Sequence, residues 1–392
     1  MSAETALKFE ALERQAQTVM AVFAKAGYEP VAPAVIQPAQ VFLDVIGEAL
    51  RARTYVFTDP DGAELCLRPD LTVPTCRLHI ARHADPATPA RYAYNGPAFR
   101  FQPQGAGQTH PREFRQAGIE RFGDSERASA EAATIALIIK ALETAGLKQW
   151  ALKIGDLGVF GAILEAAQLP ERMQKRLSEA FWRPGSFRDE LVRLTSKPAA
   201  PDARVPAQLA GVLASQDREE SAGAVAAYFE NSGIELVGTR TLGEITDHLR
   251  DLASDARAKP LDAATAVLIE NYVSFRGPAR TAGEKIAAIL GGRNAASRAA
   301  LATYDNRLAL LANAGVDLER VVFSAEFGRN LEYYTGLVFE ITTPELGPQS
   351  PVAGGGRYDR LMRSAGAKSD VPAVGAAIHT ERLLHAAGGA IR

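Results

Sequence analysis

The sequence predicts an α+β protein in which two strand-rich regions enclose a mostly helical block. Runs rich in aromatic and β-branched residues, separated by Gly and Pro turns, occur before residue 123 and return after residue 319. Between them Ala, Arg, Leu and Glu dominate, and apolar residues recur at helical spacing. We therefore divide the chain into a first core part, residues 1–166, a mostly helical insertion, residues 167–317, and a second core part, residues 318–392.

The composition is that of an ordinary globular protein. The 392 residues carry a net charge of −2, so the basic excess of a dedicated nucleic-acid-binding protein is missing. The N-terminus is polar, and we find no apolar run long enough for a membrane span, so we expect a cytoplasmic protein. Cys66 and Cys76 have apolar neighbours, and the six histidines show no zinc spacing. We expect buried free thiols and no metal site.

The first elements are a helix and an extended segment. Residues 4–26 show a helical apolar pattern that Gly27 closes as a C-cap. Prolines 30, 33 and 38 then favour an extended edge or interface segment over a central strand. A subunit contact at Pro33 and a plain connecting strand both fit this pattern.

A short hairpin and a helix follow. Tyr55–Thr58 and Glu64–Leu67 resemble strands joined by an Asp-Pro-Asp-Gly turn. A helix of about ten residues should begin near Thr72, because an Asp and a Thr precede an apolar run. Asp70 or Thr72 either caps this helix or presents a polar group to the amine of a ligand.

The next pair of strands carries the best candidate residues for binding. Arg91–Phe101 and Arg112–Phe122 are predicted strands, joined by a loop rich in Gly, Gln and Pro. Side chains two and four residues apart in a strand share a face, so Gln116, Gly118 and Glu120 should lie together. The small Gly118 would leave room for a ligand.

Arg100 at the end of the first strand completes a pattern suited to a zwitterion. Its guanidinium would take a carboxylate or phosphate, Glu120 an amine, and Gln116 would fix the orientation. An ordinary solvated hairpin with charged edges is the alternative that these residues alone leave open.

The remaining elements are predicted from local patterns. A helix is expected over Ser125–Ala145 and a strand at Lys153–Asp156. Arg320–Phe327 and Leu337–Thr343 should be adjacent antiparallel strands, and a helix should cover Pro372–Ala386. The glycines at 354–356 lack a phosphate-loop motif but would let backbone approach a ligand closely.

Four blocks in this order resemble the catalytic core of class II aminoacyl-tRNA synthetases, and histidyl-tRNA synthetase in particular. They are LRPDLT (67–72), YNGPAFRFQPQ…REFRQAGIERFG (94–123), RNLEYYTGLVFE (329–340) and GGGRYDRL…VPAVGAAIHTERLL (354–384). The resemblance covers about residues 4–165 and 318–384. It implies an antiparallel sheet flanked by helices, and a dimer built around Pro33, which matches the interface proline of the first class motif.

The resemblance also implies a histidine pocket. Arg100 matches the arginine that holds the substrate carboxylate or phosphate, and Gln116 and Glu120 match the residues that read the amino acid. Asp70 stands where the synthetase has a Glu near the histidine amine. The matching positions together are Asp70, Thr72, Arg100, Gln116, Glu120, Arg329, Tyr333 and Tyr334.

Several departures from the synthetase pattern imply loss of its chemistry. We expect no anticodon-binding domain after the third motif, and hence no tRNA partner. Arg112, within His110-Pro111-Arg112, replaces part of an Arg-Tyr-Arg sequence that contacts ATP and the tRNA end. His379 replaces a glycine beside the adenine site, whereas Arg382 matches the arginine that stacks on adenine. We interpret Arg112, His379 and Arg382 as a vestigial nucleotide site.

The sequence retains the amino-acid pocket of the synthetase but departs from it at the positions that bind ATP and tRNA. In this pattern it is similar to the ATP phosphoribosyltransferase regulatory subunits. This similarity implies a non-catalytic chain, without a cofactor, that partners the short-form catalytic subunit in a hetero-octamer. It implies action at the first step of histidine biosynthesis, with L-histidine as feedback effector. The alternative is a shortened synthetase-like enzyme that forms histidyl-adenylate, which the arginines at 100, 329 and 382 leave open.

Overall fold

The computed structural model describes most of the chain. The described residues are 5–43, 52–102, 111–181, 184–196, 204–215, 217–233, 241–255, 260–291, 295–327 and 333–388. They form two compact units, one made of residues 1–187 with 268–392 and the other of residues 188–267. The candidate site lies wholly within the first unit.

A nine-stranded sheet dominates the first unit, in the order β1-β5-β6-β12-β11-β10-β7-β9-β8. Only β1 with β5 and β7 with β9 pair in parallel, so the predicted antiparallel α+β architecture is confirmed. A separate three-stranded sheet has the order β2-β4-β3. The strands are β1 Glu29–Pro30, β2 Ile36–Pro38, β3 Tyr55–Thr58, β4 Glu64–Leu67, β5 Ala90–Phe99, β6 Glu113–Phe122, β7 Ala151–Asp156, β8 Arg276–Pro278, β9 Val321–Ser324, β10 Leu337–Thr342, β11 Ala353–Arg357 and β12 Ala373–His379.

The helices include those predicted near the N-terminus, after Asp70 and after β6. They cover Ala6–Lys25, Ala39–Leu43, Thr72–Arg82, Arg127–Thr144, Leu157–Ala166, Glu171–Ala180, Pro184–Thr195, Arg218–Asn231, Leu242–Asp255, Ala263–Val273, Ala279–Leu290, Ala295–Asn313, Leu361–Ser364 and Thr380–Ala386. Short 3-10 turns occur at Val212–Ala214 and Leu318–Arg320. In the described part of the chain, no helix combines the length and apolar character that crossing a bilayer requires.

Two predictions about strands are wrong. The predicted helix over Pro372–Ala386 is strand β12 up to His379, and its helix begins only at Thr380. The strands β9 and β10 are not adjacent, because β7 lies between them and pairs with both. In each case pairing with a strand distant in sequence decides the structure, and local pattern does not report such pairing.

The predicted insertion at residues 167–317 contains helices and one short strand. That strand, β8, pairs with β9 at the edge of the large sheet. Residues 268–317 fall in the first compact unit, and 188–267 form the second around apolar side chains such as Leu213, Val225 and Leu252. The boundaries at 166 and 317 stay a prediction.

Candidate ligand-binding site

The register of three central strands creates one face of the site. Gln116 in β6 lies opposite Gly96 in β5 and His379 in β12. Glu120 lies opposite Tyr92 and Gly375. Directly paired residues of antiparallel strands project from the same face of a sheet. Gln116, Glu120 and His379 therefore lie on one face of the sheet. This confirms the prediction that Gln116 and Glu120 share a face of their strand.

Glu120 is a completely buried carboxyl group held by hydroxyls. The Tyr94 hydroxyl donates a hydrogen bond of 3.0 Å to Oε1, and the Tyr358 hydroxyl donates to Oε2. The Thr72 hydroxyl also lowers the pKa of this carboxyl group. Burial raises the pKa of Glu120 to about 8, since desolvation outweighs the hydroxyl bonds, which lower it. Nearby Asp70 raises the pKa further.

Two glycines make room for protein side chains around Glu120. A Cβ on Gly375 would lie 1.6 Å from Glu120 Oε2. A Cβ on Gly118 would lie 2.6 Å from the Tyr94 hydroxyl oxygen. The expectation that Gly118 leaves room for a ligand is therefore wrong, because Tyr94 occupies that space.

Two buried acceptor atoms, one on the strand of Glu120 and one on a residue that interacts with it, have no hydrogen-bond partner among the described residues. They are Asp70 Oδ2 and Gln116 Oε1, on side chains that are more than nine-tenths buried. The other oxygen of Asp70 accepts from the Val73 backbone N–H at 3.2 Å, so Asp70 also caps the helix Thr72–Arg82. Buried polar atoms normally have partners, so a ligand or an ordered water would supply the donors for these two acceptors.

The pKa of Asp70 is set by two opposing effects, its complete burial and the positive charges around it. Burial raises the pKa of Asp70, while the positive charges of Arg100 and Arg68 and two backbone N–H groups lower it. Arg100 donates from Nε to the Pro69 carbonyl oxygen at 2.9 Å, and its guanidinium lies 5.1 Å from the centre of the Phe114 ring. Arg100 thus contributes positive charge beside the pocket acids.

The three residues of the predicted nucleotide site each contact a different part of the protein. The His379 imidazole stacks on the Phe114 ring, with 4.4 Å between ring centres and 22° between planes. Burial lowers the pKa of His379 to about 4, so the ring is neutral at pH 7. Arg382 Nη1 donates to the Pro351 carbonyl oxygen at 2.9 Å. Arg112 is exposed, with its guanidinium 5.8 Å from the Phe101 ring centre.

The two predicted tyrosines lie in a buried group of aromatic rings that includes Tyr358. Tyr333 and Tyr334 are buried, with ring centres 4.6 Å apart, and the Tyr358 ring lies 5.9 Å from that of Tyr333. A Cβ on Gly356 would lie 2.8 Å from the Tyr334 ring. Gly356 of β11 is thus approached by the protein's own Tyr334. Arg329 lies outside the described residues.

Comparisons with known proteins identify the family of the chain. The histidyl-tRNA synthetase family model matches residues 5–258 and 246–383. An ATP phosphoribosyltransferase regulatory subunit of Agrobacterium fabrum is 37% identical over 89% of this chain and 90% of its own length. One from Brucella anthropi is 36% identical over 89% and 90%.

The chain belongs to the ATP phosphoribosyltransferase regulatory subunit family. Solved structures support the fold of the family. The ATP phosphoribosyltransferase regulatory subunit/histidyl-tRNA synthetase of Bacillus halodurans has a TM-score of 0.68 at 23% identity, and the match covers 98% of this chain and 81% of that chain. A histidine–tRNA ligase subunit of Alicyclobacillus acidocaldarius has a TM-score of 0.59 at 22% identity, covering 99% and 96%.

For this member of the regulatory subunit family, sequence reasoning missed two residues of the site. Tyr94 and Tyr358 hold the two oxygens of Glu120. Tyr94 lies two residues after Tyr92, which pairs with Glu120, so both tyrosines are on the same face of β5. The alternation of the strand could therefore have identified Tyr94 from the sequence. No local signal marks Tyr358, because it lies 238 residues from Glu120 along the chain. Among the described residues, no group of three or more His, Cys, Asp or Glu is arranged to hold a metal ion.

Proposed function

We propose that this chain is the regulatory subunit of an ATP phosphoribosyltransferase, binds L-histidine at the Glu120 pocket and transmits feedback to a short-form catalytic subunit. The family assignment supports the regulatory role. The observation that supports a ligand is the pair of buried acceptors without partners among the described residues, Asp70 Oδ2, which interacts with Glu120, and Gln116 Oε1, on the same face of β6 as Glu120. A ligand that brings an ammonium group and an imidazole N–H would satisfy them.

The proposed ligand residues divide by chemistry. Carboxyl, amide and hydroxyl groups would accept from the ligand amine and imidazole, arginines would hold its carboxylate, and the tyrosine rings would pack on the imidazole. In chain order they are Asp70, Thr72, Arg100, Gln116, Glu120, Arg329, Tyr333 and Tyr334. Differential affinity of about 1–3 kcal/mol for the inactive over the active complex would give feedback of about 5- to 150-fold.

We propose that the chain has no catalysis of its own and that its nucleotide site is vestigial. The His379 ring already covers a face of Phe114. Arg382 is engaged by the Pro351 carbonyl, and the Arg112 side chain lies over Phe101. These contacts disfavour the alternative, a histidyl-adenylate-forming enzyme. Histidine-dependent exchange of pyrophosphate into ATP, measured at high protein concentration, should stay at background, and exchange above it would revive the enzyme hypothesis.

The proposed assembly is a hetero-octamer with the catalytic subunit, containing self-dimers of this chain near Pro33, in the cytoplasm and without tRNA or a cofactor. Pro33 is buried within the chain, and its carbonyl oxygen accepts from Arg68 Nη1, so a subunit contact here would use its exposed neighbours Ala32 and Ala34. Mass measurement of the mixed subunits would test the stoichiometry.

The deciding experiment measures ATP phosphoribosyltransferase activity of the matching short catalytic subunit, with and without this chain, across an L-histidine titration. We expect the chain to raise the rate and histidine then to lower it. An unchanged rate on adding the chain would contradict the regulatory proposal.

A pocket variant tests where the effector binds. Glu120→Ala should abolish histidine sensitivity while the complex still assembles and keeps its activated rate. Glu113→Ala, an exposed position on the same strand, is the matched control and should keep full sensitivity. Inhibition that survives Glu120→Ala would place the effector elsewhere.

A further inference from the structure

A cluster of five charged side chains is buried in the first unit, apart from the pocket. Its central member, Glu131 in the helix Arg127–Thr144, accepts from two guanidinium groups. Arg307 Nε donates to Oε2 at 2.6 Å, and Arg357 Nε donates to Oε1 at 2.5 Å. Arg307 also bonds to Asp156 at 2.8 Å, and Arg357 to Asp359 at 2.8 Å. We call these five residues the buried ion cluster.

The alternation of β11 puts the cluster and the pocket on opposite faces of the sheet. Gly356 is paired with Gly375, which lies beside Glu120, so Gly356 belongs to the pocket face. Arg357, one residue later, projects to the other face, toward Glu131. Tyr358 returns to the pocket side, where its hydroxyl donates to Glu120. Tyr358 is thus flanked on both sides by cluster members.

The backbone around Tyr358 is tied to the tyrosine pair as well. The Thr335 N–H donates to the Arg357 carbonyl oxygen at 2.8 Å, and the Asp359 N–H donates to Thr335 Oγ1 at 3.1 Å. Thr335 directly follows Tyr334 in the chain. The side chain of Asp359 also accepts from the Ala373 N–H at 2.9 Å, which fixes the start of β12. Fixing Arg357 and Asp359 therefore also positions Thr335, next to Tyr334, and the start of β12.

We propose that Glu131 is a positioning residue for the ligand pocket, because by holding Arg357 from the far face of the sheet it fixes the Tyr358 hydroxyl on Glu120. This inference rests on the proposed function for its ligand, L-histidine. Glu131 does not touch the pocket itself. Its effect passes along the backbone from Arg357, the last residue of β11, to Tyr358. The side chains of these two neighbours point to opposite faces of the sheet.

The main experiment is a double-mutant cycle on L-histidine affinity, measured by calorimetry on the full chain. Glu131→Gln should weaken binding about 10-fold, within the range of coupling seen between sites in proteins. In a Tyr358→Phe background, which has already lost the hydroxyl contact, Glu131→Gln should change the affinity less than about 2-fold, because interacting residues are non-additive. Equal losses in both backgrounds would overturn the proposal, since a general loss of structure gives additive effects.

A matched control separates positioning from stability. Tyr304→Phe removes a buried hydroxyl that donates to the Ala279 carbonyl oxygen at 2.8 Å, outside the ion cluster. It should lower the stability and leave the histidine affinity unchanged. If Glu131→Gln does not fold, Glu131→Asp keeps the charge but shortens the side chain, so it should fold and show the same non-additivity.

A ligand-free measurement distinguishes failure of this inference from failure of the proposed function. The Tyr358 hydrogen bond lowers the pKa of Glu120, so losing it should raise the titration midpoint of that carboxyl. The midpoint is followed by carbon NMR of labelled Glu side chains, assigned with Glu120→Gln. Glu131→Gln should raise it and Tyr304→Phe should not. If the wild type fails to bind histidine, the proposed function fails, and this titration still decides the role of Glu131.

Discussion

Glu120 combines complete burial with a set of neighbours that leave it neutral at pH 7 in the ligand-free protein. Its pKa of about 8 comes first from burial, which outweighs the hydroxyls of Tyr358, Thr72 and Tyr94. The other titratable groups that face it are acidic: Asp70 and Cys76, each with a pKa that burial raises. A carboxyl group in such surroundings favours a cationic partner, because an ammonium group would stabilise its ionised form.

The raised pKa of Glu120 predicts that the contribution of this group to stability decreases with increasing pH. Its pKa is about 8 in the folded chain against an ordinary 4.5, so the folded state binds more protons between these values. The contribution of Glu120 to the free energy of unfolding should therefore be largest below about pH 4.5 and fall toward pH 8, by at most about 1.4 kcal/mol per pH unit. Urea unfolding between pH 5 and 8.5 should show a smaller decrease in Glu120→Gln. Equal slopes would contradict the raised pKa.

The close approach of Gly375 and Glu120 predicts a costly substitution. The added Cβ of Gly375→Ala would lie 1.6 Å from Glu120 Oε2, and the backbone of β12 is held by strands on both sides. We expect a loss of about 1–3 kcal/mol or more in the free energy of unfolding, measured in urea.

Gly161→Ala is the matched control for that substitution. Gly161 is exposed within the helix Leu157–Ala166, and its added Cβ meets nothing within 4 Å. It should raise the stability by about 0.5–1 kcal/mol, because glycine is unfavourable inside a helix. A larger loss at Gly161 than at Gly375 would show that the Glu120 contact is not tight.

Among the secondary-structure elements, the hairpin specified by a local turn is predicted correctly, whereas β12, which pairs with the distant strand β6, is not. The hairpin β3–β4 has the predicted bounds, because its Asp-Pro-Asp-Gly turn specifies the connection. The helix that we predict over Pro372–Ala386 is wrong at β12, where VPAVGAAIH is rich in Ala and shows no alternation. Its residues are mostly buried on both faces between β6 and β11, so no polar side of the strand marks its period of two.

The turn of the β3–β4 hairpin can be tested through Asp59. Its Oδ1 accepts from the backbone N–H groups of Asp61 at 3.0 Å and Ala63 at 2.9 Å. Asp59→Ala should lower the free energy of unfolding by about 1 kcal/mol. Asp61→Ala in the same turn is the control and should change it by less than about 0.5 kcal/mol. Similar losses in both variants would exclude a special role for the Asp59 carboxylate.

For the whole molecule, the proposed ligand must act as a stabiliser by mass action. A ligand that binds only the folded chain adds about 2.7 kcal/mol at 100 times its dissociation constant. L-histidine should therefore raise the unfolding temperature of the wild type, and much less so in Glu120→Ala. Histamine, which lacks the carboxylate that Arg100 would hold, should have a smaller effect. An equal shift in Glu120→Ala would place the bound histidine outside this pocket.

The sequence by itself determined the α+β class, the hairpins with local turns, and the shared face of Gln116 and Glu120. These depend on periods and turns that act over a few residues. The four motif blocks also indicated the family, which the relatives confirmed. The roles of Arg329 and of Pro33 in a dimer stay predictions.

Only the tertiary structure decided how Glu120 is held and which strands meet. Tyr358 reaches it from 238 residues away, β7 separates β9 from β10, and His379 stacks on Phe114. Each contact joins elements distant in the chain, and its free energy comes from burial and pairing that exist only once the sheet has formed. A local pattern carries no information about which distant partner will complete it.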